Sequence, residues 1–345
     1  MPKVIYGDPD NTLEGDPLTL ILTASELAAA VDMDATIRAL ESSLVDQAHG
    51  TATQPAPLSM RLPDADSRYL VMAAASAPRG LVASKLLSDI PDNALAGLPT
   101  QRSSIVLADR STGETLALLD GRVPTRIRTA AMTAVASRHL ARPDSRVLGL
   151  VGAGALAVAH VEAMRAVLPI DTVVVWSRTA ATVDSFRQAV EHHGLEVVRA
   201  EGLPELMDAS DVVCTLTPSV SPIVFGRLFG EGLHVNAVGA RPRPDHRELD
   251  AEAMSRSRVV VDSLETALAK SGDLLLAVEE GALRVEDVAG ELGQVIAGSV
   301  AGRQSREQVT LFNSVGMGLQ DLAIGRLLFD AAVERGLGLK VDLSA

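Results

Sequence analysis

A glycine turn between two apolar strands constrains the fold of this chain more than any other feature. Residues 146–151 and 172–176 are strand-like, and Gly152-Ala-Gly-Ala-Leu-Ala157 opens an apolar helix between them. This is the order of a dinucleotide-binding βαβ unit, in which Gly152 permits the tight turn and Gly154 lets a pyrophosphate approach the helix N-terminus. We therefore predict that the turn binds the cofactor through Gly152, Ala153, Gly154, Ala155 and Leu156.

The residues after the second strand of this unit favour NADP(H). NAD sites usually place an Asp or Glu here, about 20 residues beyond the glycines, to bind the ribose 2′-hydroxyl. This chain has Ser177, Arg178 and Thr179 instead, whose guanidinium and hydroxyls suit a 2′-phosphate. We predict NADP(H) as the preferred cofactor, with NAD(H) as the alternative. Other predicted cofactor contacts are Thr129, Thr215, Thr217, Val238, Gly239 and Gly316.

The composition excludes several classes of partner. The net charge of −13 argues against nucleic acid and anionic membrane surfaces. The single cysteine, Cys214, lies in an apolar run and excludes disulfides and a cysteine metal site, and we predict no metal site. The first 16 residues contain no apolar segment typical of a signal peptide, and the longest apolar stretch, 147–158, is too short to span a bilayer. We expect a cytoplasmic protein.

The length of 345 residues predicts two domains. The N-terminal part reads as an α+β module, with a capping box at Thr23–Glu26, a helix after Asp32 and strands at 57–62, 69–74, 81–87, 104–108 and 114–119. An alanine-rich helix over 125–140 links it to a region where strands and helices alternate.

The alternating region predicts a Rossmann-type, doubly wound parallel sheet inserted into the α+β domain. Its six expected strands lie at 146–151, 172–176, 195–199, 211–216, 233–238 and 258–262. One long helix is expected over 312–336 and should pack back on the first module. The predicted domains are therefore 1–123 plus 312–345, for substrate binding and dimerisation, and 124–311, for the nucleotide.

Three basic residues outside the nucleotide site are candidates for binding or catalysis. Arg61 and Lys85 lie on predicted strands, and Arg128 lies in the first turns of the linking helix, where a guanidinium can hold a substrate carboxylate. Structural alternatives stay open for each. Arg61 and Lys85 would then be solvated surface residues, and Arg128 would be a phosphate clamp or an interdomain salt bridge.

The motifs of this chain, taken together, resemble the ornithine cyclodeaminase/mu-crystallin family. The resemblance covers about residues 22–332 and rests on Leu118-Leu-Asp-Gly, Ile127-Arg-Thr-Ala-Ala, Val151-Gly-Ala-Gly, Trp176-Ser-Arg-Thr, Val235-Asn-Ala-Val-Gly-Ala, Val261-Asp-Ser, Ser271-Gly-Asp and Glu291-Leu-Gly-Gln-Val-Ile. It implies a homodimer. It also implies that Lys85 is the active-site lysine and that Arg128 binds the substrate carboxylate. Arg61 is a weaker match, because Pro57 stands where many members carry the arginine of a Gln-Pro-x-Arg motif.

One departure from the cyclodeaminase pattern favours a reductase. Cyclodeaminases of this family place an aspartate two residues beyond the Asn-Ala-Val-Gly motif, where this chain has Ala240 and then Arg241. The segment is more similar to mu-crystallin, a ketimine reductase. The leading hypothesis is an NADPH-dependent reductase of small imino acids or cyclic ketimines, in which Lys85 relays a proton and Arg241 binds a second anionic group. The alternatives are a cyclodeaminase with catalytic NAD, in which Asp245 replaces the missing aspartate, and a ligand-binding protein with little turnover.

Overall fold

The computed structural model describes residues 18–63 and 66–343, so the first 16 residues, which bear on the signal-peptide expectation, lie outside it. Its strands are β1 (Leu18–Leu22), β2 (Ala52–Thr53), β3 (Leu58–Met60), β4 (Arg68–Ser76), β5 (Leu81–Asp89), β6 (Gln101–Asp109), β7 (Thr115–Asp120), β8 (Val147–Val151), β9 (Thr172–Trp176), β10 (Glu196–Arg199), β11 (Val212–Thr215), β12 (His234–Ala237), β13 (Arg258–Val261), β14 (Gly290–Glu291), β15 (Thr310–Asn313) and β16 (Leu339–Asp342).

The helices connect these strands and cover both sheets. They are α1 (Ala24–Ala30), α2 (Met33–Ala48), α3 (Arg122–Leu140), α4 (Ala155–Arg165), α5 (Ala180–Val190), α6 (Leu203–Ala209), α7 (Ala251–Ser255), α8 (Leu264–Lys270), α9 (Gly272–Glu279), α10 (Leu292–Ile296) and α11 (Gly318–Arg335). In the described part of the chain, no helix is both long enough and apolar enough to cross a membrane.

The first sheet is built from the N-terminal strands and the last strand, in the order β16-β1-β7-β6-β5-β4-β2, with β3 paired to β4. Its central strands are antiparallel and alternate buried with exposed side chains. Helix α11 packs on β4, β5 and β6 of one face, with α1 on β7 and α2 against α11, and Ile105, Leu107 and Leu119 are fully buried there. The alternation therefore places every second side chain of β5, including Lys85, under these helices.

The second sheet is parallel throughout and has the order β10-β9-β8-β11-β12-β15-β13-β14. The chain enters at β8, winds outward to β10, and then returns to β11 on the other side of β8. This reversal creates the topological switch point where doubly wound folds bind dinucleotides. The predicted Rossmann-type fold class is thus confirmed.

The C-terminal part differs from the sequence expectation. The prediction of one helix over 312–336 is wrong at its start, because Thr310–Asn313 is the buried strand β15, inserted between β12 and β13, and the helix begins at Gly318. A four-residue segment with only two apolar residues, Leu311 and Phe312, is too short for its periodicity to distinguish a strand from a helix. Strands β1 and β16 were not anticipated. Because β15 crosses the predicted boundary at 311/312, we propose that the nucleotide domain ends after Asn313.

Candidate active site

A cavity of about 420 Å³ lies between the two sheets, beside the switch point. Its walls come from β5 and the start of α3 on one side. On the other side they come from the loops that follow the carboxyl ends of β11, β12 and β15. A cavity at this position joins the first domain to the nucleotide-binding edge of the second, as substrate pockets of doubly wound enzymes do.

The lining of this cavity is strongly basic although the whole chain carries a net charge of −13. None of its described lining residues is an Asp or Glu. Its basic residues are Lys85, Arg102, Arg122, Arg126, Arg128, Arg241 and Lys270. Such a concentration of positive charge on an acidic protein favours an anionic ligand.

Lys85 projects from β5 into the floor of the cavity and is only 1% exposed, so the alternative of a solvated edge position is wrong. Its Nζ donates to Thr125 Oγ1 at 2.7 Å and to Asp321 Oδ1 at 3.0 Å. Burial lowers the pKa of Lys85 to about 8; Asp321 opposes this shift and Arg128 adds to it. Desolvation is the main cause of this shift, and the neighbouring Arg128 contributes less.

Arg128 lies in the second turn of α3, which begins at Arg122, and is buried beside Lys85. Its Nε donates to Asp321 Oδ1 at 3.3 Å and its Nη1 to Gln320 Oε1 at 2.6 Å. Nη2 has no acceptor within the described ranges. The guanidinium is therefore fixed on one edge and free on the other to bind a carboxylate.

Asp321 and Gln320, in the first turn of α11, position both cations and were missed by the sequence reasoning. Oδ1 of Asp321 accepts from Lys85 and Arg128, while Oδ2 is buried and has no partner in the described part of the chain. The signal was present in the Gly316-Met-Gly-Leu-Gln-Asp sequence. Only the packing of α11 on the first sheet reveals that this carboxylate faces the two cations.

Gly316 lies in the turn after β15, with φ of 79°, a conformation that favours glycine. A Cβ at this position would lie 3.0 Å from Nη1 and Nη2 of Arg128. The buried carboxylate of Asp262 holds the turn by accepting from the backbone N–H groups of Val315 and Gly316. Gly316 thus lets the chain approach the guanidinium closely.

The glycine turn after β8 has the geometry that a pyrophosphate requires. Gly152 has φ of 113°, and a Cβ there would meet the Leu216 carbonyl oxygen at 3.0 Å. A Cβ on Gly154 would meet no described atom within 4 Å, and among the residues that the structure describes no side chain caps the N-terminus of α4. These residues fit the group predicted from the sequence, because free N–H groups and the helix dipole attract phosphate.

The predicted cofactor residues fall into two groups in the structure. The cavity is lined by Thr129, Leu156, Thr217, Val238, Gly239 and Gly316. The others lie outside this cavity: Gly152, Ala153, Gly154 and Ala155 form the glycine turn, and Ser177, Arg178 and Thr179 follow β9 toward α5, where Thr179 is the N-cap.

Thr215 is buried and does not line the cavity. Its hydroxyl donates to the buried Glu248 at 2.7 Å. Glu248 also accepts from Thr217 and from the Gly239 N–H, so this carboxylate ties together the ends of β11 and β12. Burial raises the pKa of Glu248 to about 7, against the opposing effect of these hydrogen bonds.

The predicted substrate residues are not all brought together. Lys85, Arg128 and Arg241 line the cavity, whereas Arg61 is exposed after β3 and does not. Asp245, the proposed replacement for a cyclodeaminase aspartate, is also exposed and outside the cavity. Among the described residues, no carboxylate lines the cavity, where cyclodeamination would need one as a general base.

A buried ion pair joins the two parts of the molecule beside this site. Arg243, in the loop after β12, is 2% exposed and donates from Nη2 to Asp89 Oδ2 at 2.7 Å, at the end of β5. Nη1 also donates to Asp66 Oδ1 at 2.6 Å. The sequence reasoning did not single out Arg243, because neither aspartate is near it in the chain.

The parallel sheet, its glycine turn and the basic cavity beside it define a dinucleotide-binding protein of the dehydrogenase type. The chain belongs to the ornithine cyclodeaminase/mu-crystallin family, whose model matches residues 18–336. It is 35% identical over 328 residues to a Delta(1)-pyrroline-2-carboxylate reductase of Bacillus cereus, covering 94% of this chain and 99% of the relative. It is 38% identical over 261 residues to the ketimine reductase mu-crystallin of Mus musculus, covering 76% and 79% of the two chains.

Solved structures have the same architecture over nearly the whole chain. The Delta(1)-pyrroline-2-carboxylate reductase of Thermococcus litoralis, in complex with NADH and L-proline, superposes with a TM-score of 0.89 at 31% identity, covering 94% of this chain and 100% of that one. An archaeal alanine dehydrogenase dimer with bound NAD has a TM-score of 0.88 at 33% identity and covers 94% and 99%.

Proposed function

We propose that this protein is an oxidoreductase that reduces the C=N bond of small imino acids or cyclic ketimines, or equivalently an amino-acid dehydrogenase acting in the reductive direction. The observation that carries the proposal is the convergence of Lys85 and Arg128 in one buried cavity next to the dinucleotide edge of the parallel sheet. The relatives named above, which include reductases of pyrroline-2-carboxylate and of ketimines, support this reaction class.

Arg128 binds the substrate carboxylate in this proposal. Gln320 and Asp321 hold Nη1 and Nε, so the guanidinium does not have to be ordered when the substrate arrives. Fixing the substrate in this way removes much of the entropic cost of aligning the imine with its reductant. When bound, the nicotinamide cofactor supplies the hydride.

Lys85 supplies the proton that the imine nitrogen takes up. Its Nζ is held by Thr125 and Asp321, and its pKa of about 8 leaves it protonated at neutral pH yet a better acid than an exposed lysine. Asp321 stabilises the ammonium before the transfer. The chain thereby provides orientation and a proton source in a cavity that contains no competing carboxylate side chain among its described lining residues.

We infer that NADPH is the preferred reductant. Arg178 is exposed directly beyond β9, and the N-terminus of α5 begins just after Thr179, so a 2′-phosphate placed here would meet a guanidinium and a helix N-terminus. The two solved relatives named above contain NADH or NAD, which makes the choice between the cofactors a direct test of Arg178.

A cyclodeaminase reaction is disfavoured by the cavity itself. That chemistry needs a carboxylate to accept protons from an ammonium group or a water. Asp245 is exposed and outside the cavity, and the buried Asp321 is already engaged by Lys85 and Arg128.

One pair of assays tests the proposed function. The protein should consume NADPH with pyrroline-2-carboxylate, or with a 2-keto acid plus an amine, and should release no ammonia from ornithine or lysine incubated with NAD alone. Ammonia release without added reductant, with no NADPH consumption by any imine, would establish the cyclodeaminase alternative instead.

We also propose a homodimer formed through the uncovered face of the first sheet. Apolar side chains alternate onto this face and remain exposed, among them Leu58 (63%), Leu86 (48%) and Leu118 (37%). One solved relative is described as a dimer. Light scattering should give twice the mass of the chain, and Leu86→Glu should lower it to one chain; a monomeric parent contradicts this proposal.

A further inference from the structure

Lys270 is a buried cation that forms no ion pair within the described part of the chain. It is the last residue of α8, is 6% exposed, and lines the same cavity as Lys85 and Arg128. Its Nζ donates once, to the Gly316 carbonyl oxygen at 3.1 Å. Among residues 18–63 and 66–343, no carboxylate pairs with it, whereas Lys85 pairs with Asp321.

The carboxylate with the largest influence on Lys270 is committed elsewhere. Asp262 raises the pKa of Lys270 through space, but burial outweighs it and lowers that pKa to about 7. Oδ2 of Asp262 accepts from Ser314, Val315 and Gly316, and Oδ1 accepts from the Ser263 N–H. Two of the three ammonium hydrogens of Lys270 are therefore left without a protein acceptor in the described structure.

Lys270 and Arg128 contact the same residue. Gly316 accepts the Lys270 hydrogen bond through its carbonyl oxygen, and its Cα approaches Arg128 so closely that a Cβ would lie 3.0 Å from the guanidinium. Both cations line one cavity, so a single small ligand can reach both. An unpaired buried charge is costly, and a ligand that pairs with it recovers that cost on binding.

We propose that Lys270 binds a second carboxylate of the substrate, so that this enzyme prefers imines of dicarboxylic acids over monocarboxylic ones. The inference rests on the proposed imine reduction, with Arg128 holding the carboxylate next to the C=N carbon. A bound monocarboxylic imine would leave Lys270 without an anionic partner. Sites built around a buried polar group discriminate strongly against analogues that lack its partner.

Arg241 is the rival for this role, because it also lines the cavity and was the sequence-based candidate for the second anion. It lies in the loop after β12 and is only partly buried, whereas Lys270 is almost completely buried. A partner for a desolvated charge contributes more to binding than a partner for a solvated one. This comparison favours Lys270.

The test compares two imines formed in solution by condensation of ammonia with a keto acid and loss of water, oxaloacetate for the dicarboxylic imine and pyruvate for the monocarboxylic one. Reduction adds the hydride of NADPH to the imine carbon and a proton to its nitrogen. The parent should have a higher kcat/KM for the oxaloacetate imine. Lys270→Met should lower the ratio of the two kcat/KM values by about 10- to 100-fold, the range of a hydrogen bond to a charged group, and Arg241→Met should change it less.

A binding measurement separates this inference from the proposed reaction. Calorimetric titration of the NADP⁺-loaded protein with L-malate and L-lactate, which differ by the second carboxylate, should give a malate preference that Lys270→Met removes. If the parent reduces monocarboxylic imines and Lys270→Met leaves the ratio of the two kcat/KM values unchanged, the role of Lys270 is wrong and the proposed imine reduction is still supported. The inference is also wrong if Arg241→Met, rather than Lys270→Met, lowers the ratio of the two kcat/KM values. It is equally wrong if Lys270→Met weakens NADPH binding and leaves that ratio unchanged. If no imine is reduced, the reaction fails, and the malate preference still decides the anion site.

Discussion

Asp321 Oδ1 accepts a hydrogen bond from Lys85 Nζ at 3.0 Å, and both side chains are 1% exposed. The two residues are 236 positions apart in sequence, one on β5 and the other in the first turn of α11. The Asp321 carboxylate raises the pKa of the buried Lys85 ammonium and so favours its protonated form, against the opposing effect of burial. This pair sets the protonation state of the proposed acid.

Removing the charge of Asp321 should shift the pH dependence of the reaction. Lys85 donates its proton only when charged, so reductive kcat/KM should fall as pH rises through its pKa of about 8. Asp321 raises this pKa, so Asp321→Asn should lower it further and move the alkaline limb to more acidic pH. Profiles of both proteins between about pH 6 and 10 measure the shift. If the alkaline limb of the pH profile does not move in Asp321→Asn, a group other than Lys85 controls it.

Lys85→Ala should abolish most turnover while cofactor binding survives. Loss of a positioned general acid costs about 10²- to 10⁴-fold in rate. Trp176 ends β9 next to the predicted ribose site, so its fluorescence should still respond to NADPH. Lys340→Ala, at an exposed lysine on β16, is the matched control and should retain turnover. A parent that binds NADPH but reduces no imine would favour the binding-protein alternative.

Arg178→Asp should exchange the cofactor preference. Losing a charge-assisted contact to a 2′-phosphate should weaken NADPH binding by about 10- to 100-fold, and the new carboxylate should strengthen NADH binding. Titrations of Trp176 fluorescence with both cofactors measure this. Arg110→Asp makes the same change of net charge at an exposed turn of the first sheet and should alter neither affinity. Equal affinities of the parent for NADH and NADPH would refute the assignment.

Gly316→Ala and Gly298→Ala separate backbone strain from crowding of the site. Both glycines have positive φ, 79° and 77°, so each alanine should cost about 1–2 kcal/mol of stability. A Cβ on Gly298 meets open space, whereas one on Gly316 lies 3.0 Å from the Arg128 guanidinium. Thermal unfolding should therefore show losses for both variants, but only Gly316→Ala should raise KM for the imine. An equal rise of KM in both would contradict the proposed contact.

Arg243→Ala should destabilise the protein more than a typical arginine variant. It leaves Asp89, which is fully buried, without its partner, and breaking such a buried pair costs about 3–5 kcal/mol. Arg284→Ala removes an exposed arginine paired with Asp287 and should change stability little. Chemical denaturation of both variants gives the comparison. Similar losses would mean that the Arg243–Asp89 pair adds no special stability.

Much of this site was predictable from local sequence. The glycine turn, the strand before it and the Ser177-Arg178-Thr179 segment are read within about 35 residues, because a βαβ unit is a local structure. Lys85 and Arg128 were identified from the resemblance to a family, and the structure places both in the same cavity. Arg61 was not confirmed as a cavity residue, because the short strand β3 leaves it exposed.

The remaining features depend on contacts between distant segments. Strand β15 lies between β12 and β13, and its four residues are too few for the sequence pattern to specify that position. The roles of Asp321, Gln320 and Lys270 could not be predicted, because each depends on the groups that the fold places beside the side chain. Asp262 lies in one of the motifs that carry the resemblance, but its hydrogen bonds to the Gly316 turn were not predicted.

The sequence by itself determined the dinucleotide turn and the alternation of strands and helices, because each is encoded in the spacing of a few neighbouring residues. Lys85 and Arg128 became candidates only through the resemblance to a family. Only the tertiary structure decided which charges are buried together. Desolvation and ion pairing depend on what the rest of the chain places around a side chain, and here that environment comes from segments up to 236 residues away.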